Sequence, residues 1–300
     1  MTSSNSQTLQ FGPFQLNSVE AGRFLLDGGA MFGVVPKTMW NRKIPADQDN
    51  RIKMAMRSLL IRSEQTGKTY LIDTGSGHKF SDKLSEIYGF DYQHSELIHS
   101  LSKLSVSPSD ITDIIFSHLH FDHCGGTTQY VNGELLEVFK NATYHVNRHH
   151  WETATNPNQR EKASFFRENL QPVADSGRLN LTDETIEFES GFTVLTVHGH
   201  TLGQQLPVIK ADDNTIVFVA DLIPTHAHVP LPWIMGYDMN PVQTLQEKES
   251  FLEKAAEENW YLFLEHDADH EVITVKKSEN RYLLNESLLL HEIEKQKTSR

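Results

Sequence analysis

The sequence predicts an α/β protein whose sheets carry helices on their outer faces, and three observations predict it. Apolar runs alternate with segments of helical spacing, the pattern of layered sheet-and-helix folds. Four of those runs, at 111–116, 192–197, 215–220 and 260–264, are short and rich in β-branched and aromatic residues, as strands buried on both faces are. Each is followed by residues able to bind metal. His118-Leu119-His120-Phe121-Asp122-His123 follows the first, His198-Gly199-His200 the second, Asp221 the third and Glu265-His266-Asp267 the fourth. Sites in α/β folds form just past the carboxyl ends of strands.

The other elements follow in order. Residues 11–20 and 57–63 read as early strands, and Tyr70-Leu71-Ile72 leads into Asp73-Thr74-Gly75. Between the first two strands, residues 27–56 are too apolar for a linker and too punctuated by Gly and Pro for one helix. They read as a packed insertion over an active-site mouth, with Met31, Phe32, Val34, Val35, Met39 and Trp40 as its apolar members. Residues 81–104 carry helical spacing (Leu84, Ile87, Leu97, Ile98, Leu101, Leu104) broken near Gly89. Ser107-Pro108-Ser109-Asp110 is a turn or cap, 141–147 is a strand, and 151–170 is polar and helical. No fixed-period repeat or low-complexity linker interrupts the chain. One domain over 11–300, after a disordered lead at 1–10, is the simplest organisation.

Composition excludes several classes. A net charge of −13 over 300 residues argues against a nucleic-acid partner, which favours a basic face. The single cysteine, Cys124, excludes an intramolecular disulfide and fits a reducing compartment; it reads as a small packing residue. The first ten residues have neither the basic nor the apolar region of a signal peptide, and no apolar run is long enough for a bilayer. The expectation is a cytoplasmic protein without membrane contact.

Sixteen histidines are many for this length. In extended backbone, residues 118, 120 and 122 point to one side, whereas a helix would turn 120 away, so the motif reads as a curled loop turned by Gly125-Gly126. Imidazole and carboxylate suit Zn²⁺ or a similar ion. His200 and Asp221 are weak signals alone, since one could be a loop residue and the other a helix cap. Together, 21 residues apart and both at strand ends, they supply a third histidine for one metal and a carboxylate able to bridge two. The first site is then His118, His120, His200 and Asp221; the second is Asp122, His123, His266 and Asp221. Two divalent ions are expected, zinc by preference, with cobalt, manganese or iron as alternatives. His149, His150, His198 and His270 read as structural or surface residues.

The order HLHFDH, GHT, VAD, EHD resembles the metallo-β-lactamase superfamily across nearly the whole chain. The complete ligand set, with a bridging Asp and a final His, is similar to its dinuclear lactonase branch. DGGAMFGVVPKTMWNRKIPADQDNRI (27–52) and ADLIPTHAH (220–228) are similar to the YtnP-like quorum-quenching N-acyl-homoserine lactonases and the related methyl parathion hydrolases. The resemblance implies an αβ/βα sandwich with its site at the edge between two sheets, and a role for Asp73 in orienting the metal loop. It also implies lactone or ester substrates and, as in related lactonases, a homodimer. One departure stands out. Where lactonases carry a Tyr three residues after the bridging Asp, this chain has Pro224, so His226 or His228 is expected to polarise the substrate, or the metals suffice.

Within the fold, function follows from the site. Asp122, ligated through one oxygen, could hand a proton to a leaving alcohol through the other. Trp233 and the insertion could wall an acyl chain. Asp221 counts against a β-lactamase, and the 34 residues after His266 are few for the helical region of a glyoxalase-II-like thioesterase. A nuclease would be more basic, and an iron flavoprotein relative would have Glu at His120. Lactone hydrolysis leads, with an organophosphate triesterase or another ester or thioester hydrolase of the same fold as the alternative.

Overall fold

The computed structural model describes residues 7–93 and 96–293, which form two seven-stranded sheets and a small hairpin. The strands of the first half are β1 (Leu9–Phe11), β2 (Phe14–Asp27), β3 (Arg51–Ser63), β4 (Thr69–Ile72), β5 (Asp113–Ile115), β6 (Thr128–Val131), β7 (Glu134–Glu137), β8 (Thr143–Asn147) and β9 (Leu179–Thr182). Those of the second half are β10 (Ile186–Glu189), β11 (Phe192–Val197), β12 (Gln204–Ala211), β13 (Asn214–Phe218), β14 (Tyr261–Phe263), β15 (Val272–Ser278) and β16 (Arg281–Leu288). The first sheet runs β1-β2-β3-β4-β5-β8-β9, antiparallel up to β4 and parallel from there; β6 and β7 pair alone. The second runs β10 to β16 in chain order, antiparallel except where β13 meets β14. With helices on the outside, this is the metal-site sandwich the sequence predicted.

The central strands of the first sheet lack polar alternation because both faces are covered. Leu59, Ile61, Tyr70, Ile72 and Ile115 pack into the core shared with the second sheet, alongside Phe192, Leu206, Val208, Ile216 and Phe218. Their neighbours Leu60, Leu71 and Ile114 point the other way, to a second core, as the two-residue period of a strand requires. Among the described residues, eight α-helices flank the sheets: α1 (Gly28–Phe32), α2 (Lys37–Trp40), α3 (Asp82–Tyr88), α4 (Leu97–Lys103), α5 (Phe121–Cys124), α6 (Arg148–Thr155), α7 (Arg167–Asp175) and α8 (Pro241–Glu257). Leu97 and Leu101 of α4 and Leu170 and Val173 of α7 join the outer core of the first sheet. Phe251, Leu252 and Ala255 of α8 join the shared one.

Several boundaries differ from expectation. Residues 1–6 of the lead lie outside the described residues, but Leu9 and Gln10 already pair with Leu16 and Gln15 in β1. The helical segment at 81–104 does break at Gly89, in left-handed conformation (φ 52°) after α3; residues 94–95 lie outside the described residues. The helix over 151–170 is two helices, α6 and α7. Residues 156–166 between them, with Pro157, form a strap containing only a short turn at Lys162–Ser164. The insertion is indeed packed: Met31, Phe32 and Trp40 are buried, Phe32 stacking on Trp40 at 5.2 Å, while Val34 and Met39 are exposed.

Candidate metal centre

The chain leaves β5 after Ile115 and turns into helix after His120. His120 is the N-cap of α5 (φ −61°, ψ 154°), and its carbonyl accepts the N–H groups of His123 and Cys124. This single turn divides the motif. His118 and His120 face one centre, whereas Asp122 is carried with His123 toward a second, the grouping the ligand assignment expected. Gly125 and Gly126 serve close approach. Gly125 has an ordinary φ of −63°, but a Cβ there would stand 2.0 Å from Ser76 O, and one at Gly126 2.1 Å from Thr74 O. The metal loop can therefore lie against residues 73–77, where Thr74 N–H donates to His123 O at 2.7 Å.

Seven side chains converge from strand ends of both sheets. His118 Nε2 lies 3.0 Å from His120 Nδ1, which lies 3.3 Å from His200 Nε2. Ligands about 2.0 Å from one tetrahedral ion stand about 3.3 Å apart, so these nitrogens are spaced as ligands of a common ion. Asp221 turns Oδ2 to this cluster, 3.1 Å from His200 Nε2, and Oδ1 to the other, 3.2 Å from His266 Nε2. There His266 Nε2 is 3.0 Å from His123 Nε2 and 3.6 Å from Asp122 Oδ2. Asp221 Oδ1 is buried without a hydrogen-bond partner among the described residues. A buried lone pair of that kind is costly unless a cation satisfies it, and the donor set of imidazoles and carboxylates fits divalent ions.

Each histidine turns its other nitrogen to an acceptor. His118 Nδ1 reaches Ser117 Oγ (3.0 Å), His120 Nε2 reaches Glu161 Oε1 (3.3 Å), and His200 Nδ1 reaches Asp238 Oδ1 (3.0 Å). His266 Nδ1–H donates to Ala55 O at 2.8 Å, and His123 Nδ1 lies 3.0 Å from Asp73 Oδ2 and from Glu265 Oε2. These contacts fix the tautomers that present the opposite nitrogens to the clusters. Burial, followed by the neighbouring imidazoles, drives the His118 pKa well below its usual value. At His200 and His266 burial acts in the same sense, but Asp221 and the other carboxylates outweigh it and raise them to about 10 and about 9. Without ions these pairs hold protons that a divalent cation would displace.

A cavity of about 320 Å³ opens on both clusters, reaching His120, Asp122, His200, Asp221 and His266. Leu26, Met31, Met54, Met235 and Met239 make much of its wall, and Tyr88 and Tyr237 bring phenols to it. His226 and His228 are not among its lining residues. His228 is buried against Phe32 and hydrogen-bonded to Met31 O at 2.8 Å, and His226 pairs with Asp267 at 2.6 Å. Trp233 packs edge-on to Phe32, and neither it nor Trp40 lines the cavity; of the insertion's apolar residues, Met31 does.

The sequence matches the metallo-beta-lactamase superfamily over residues 57–266, more than half the chain and a span that contains all seven convergent residues. The chain belongs to the metallo-β-lactamase superfamily. A solved structure, a probable metal-dependent hydrolase from Staphylococcus aureus, is 29% identical with a TM-score of 0.83, covering 93% of this chain and 100% of that one. AidC, a dizinc quorum-quenching lactonase solved with the product N-hexanoyl-L-homoserine, is 25% identical with a TM-score of 0.75, covering 94% and 97%. An N-acyl homoserine lactonase of Bacillus thuringiensis is 23% identical over 182 residues, 60% of this chain and 65% of that protein, so this chain spans less than two thirds of that relative. Within this superfamily, the chain carries His/Asp clusters suited to metal binding. Among the described residues, no helix is long and apolar enough to cross a membrane.

Sequence reasoning missed Glu161 and Asp238. Pro157 was a signal that residues 156–166 leave the helix, but nothing local marks either carboxylate as a partner of a distant histidine. Asp73 does orient the loop, through Ser117 N–H (2.7 Å), Ser117 Oγ–H (2.5 Å) and His123. Cys124 is buried, with burial pushing its thiol up to about 12.

Proposed function

We propose that the chain opens the ring of N-acyl-homoserine lactones or related lactones. Two divalent ions, zinc by the ligand set, would be held by His118, His120, His200 and Asp221 and by Asp122, His123, His266 and Asp221. The observation that carries the reading is Asp221, with one oxygen toward each cluster at the base of an apolar-walled cavity. The lactonases among the chain's relatives support the substrate class.

Ions bound there would supply Lewis-acid activation of water and of the ester carbonyl. The chain's own residues do the rest. Asp122 lines the cavity beside the second cluster and would take the proton of the attacking water. It returns that proton to the ring oxygen as the acyl C–O bond breaks, so water and lactone leave as one hydroxy acid. Leu26 and the methionines at 31, 54, 235 and 239 offer an acyl tail a flexible, polarisable wall. The charge of −13 suits a neutral substrate better than a polyanion.

The deciding experiment compares kcat/KM of the metal-loaded protein for short- and long-chain acyl-homoserine lactones, γ- and δ-lactones, and aryl phosphotriesters. Hydrolysis of phosphotriesters with no turnover of any lactone would replace this reading by an organophosphate triesterase.

A further inference from the structure

We propose that Glu161 is a positioning residue which ties the strap at 156–166 to the first cluster, so that the wall of the substrate cavity and the geometry of one metal site are held by the same side chain. The proposal rests on the two-metal reading of the site. Glu161 is 4% exposed, deep for a carboxylate whose segment is a connection between two helices. Such burial is costly unless the charge is paired and hydrogen-bonded. Its Oε1 lies 3.3 Å from His120 Nε2 and accepts from Thr201 Oγ1, and its Oε2 accepts from Asn158 Nδ2 at 3.3 Å. Thr201 follows His200, so this one carboxylate meets both histidine-bearing loops of the first cluster.

The strap is anchored at a second point. Arg160 Nη2 donates to Gly236 O and, at 3.5 Å, to Asp238 O. The segment it reaches carries Met235, Tyr237 and Met239 on the cavity wall, and Asp238, whose carboxylate holds His200. Contacts therefore run from His120 through Glu161 and Arg160 to Asp238 and His200, around a cavity that both segments line. Asn158 Oδ1 fixes the turn between the two anchors by accepting the N–H groups of Arg160 and Glu161 at 2.9 and 3.0 Å. The strap cannot move outward without withdrawing the acceptor from His120 Nε2. A ligand that presses on the strap is thus felt at the first site, and by linkage loss of that site's ion weakens the ligand.

The test separates reach from charge. Glu161→Asp keeps the charge and shortens the side chain, so it leaves His120; Glu161→Gln loses the charge and keeps an amide oxygen within reach. Dissociation constants of both ions are measured by chelator competition, with the visible absorption of the cobalt-substituted protein reporting the coordination. Glu161→Asp is expected to weaken one ion by about ten- to a hundredfold, leave the other unchanged and alter the cobalt spectrum, with Glu161→Gln closer to wild type. Arg160→Ala should leave both metal affinities unchanged while weakening N-hexanoyl-L-homoserine, used as the probe. The proposal is overturned if Glu161→Asp leaves both ions within twofold of wild type, if it weakens both equally, or if Glu161→Gln is the more damaging. Wild-type protein that binds no ion overturns the metal reading as well; two ions unaffected by Glu161→Asp overturn this inference alone.

Discussion

Asp73→Asn should loosen the second cluster far more than Glu265→Gln, although both carboxylates lie 3.0 Å from the same nitrogen, His123 Nδ1. One N–H can serve only one of them. Asp73 also accepts from the N–H and hydroxyl of Ser117, so three donors converge on it. Glu265 is fully buried with neither oxygen hydrogen-bonded among the described residues, and burial pushes its pKa up, toward the neutral acid. Asp73 has the left-handed backbone (φ 55°), which Asn tolerates as well as Asp, so the exchange isolates the side chain. An Asn amide must turn its NH₂ toward one of three donors. The loss of charge and of at least one hydrogen bond corresponds to about 1.5–3 kcal/mol, or about ten- to a hundredfold in affinity at the second site. Some loss at the first follows, because Ser117 Oγ also meets His118 Nδ1. Glu265→Gln exchanges one neutral group for another of the same size and should stay within about 1 kcal/mol. Chelator competition gives the affinities, and unfolding in EDTA checks the fold. The reasoning fails if Glu265→Gln costs as much as Asp73→Asn.

Other outcomes follow from the same geometry. Asp221→Ala removes the carboxylate that faces both clusters and should abolish lactone turnover, whereas Cys124→Ala, trimming a buried thiol, should keep most of it; similar kcat/KM for the two would mean the bridging position is misread. Asp122→Asn should lower kcat more for lactones than for p-nitrophenyl esters, whose leaving group needs no proton, once equal metal content is verified. At Asp267 burial opposes ionisation, but His226 and backbone N–H groups prevail and hold its pKa at about 2, below an ordinary 3.8. A depressed acid stabilises the fold above its unfolded pKa and loses that contribution as pH falls through the folded value. Wild type should therefore lose about 2 kcal/mol more than Asp267→Asn between about pH 5 and pH 2 in urea unfolding, and parallel pH profiles would refute it.

What was legible in the sequence was what the chain must encode locally. A loop that would serve two metal sites needs histidines and aspartates a few residues apart, so His118 to His123 stood out. Strand ends made His200, Asp221 and His266 credible in company. The turn at Phe121 was not legible, because one helical turn leaves no periodic pattern. Nor was the true role of Gly125 and Gly126, since a close approach to Ser76 and Thr74 depends on where another strand ends. The expectation for His226, His228 and Trp233 failed for a related reason: proximity in sequence to Asp221 says nothing about which side of the loop a ring takes. His228 turns to Met31 O and His226 to Asp267.

The carboxylates behind the ligands show where such reading stops. Glu161 and Asp238 stand 41 and 38 residues from the histidines they meet, two among 40 acidic residues. A ligand is constrained by an ion at about 2 Å and by its neighbours in the same loop. The partner of a ligand's remote nitrogen needs only one hydrogen bond from any element that passes by. Here that element serves also as cavity wall: the strap with Glu161 on one side, the 235–239 segment with Asp238 on the other. The side chains that would set which substrate fits are therefore carried by the same two segments that hold His120 and His200 in place. A substitution on either segment that displaces Glu161 or Asp238 should register in metal affinity as well as in substrate preference.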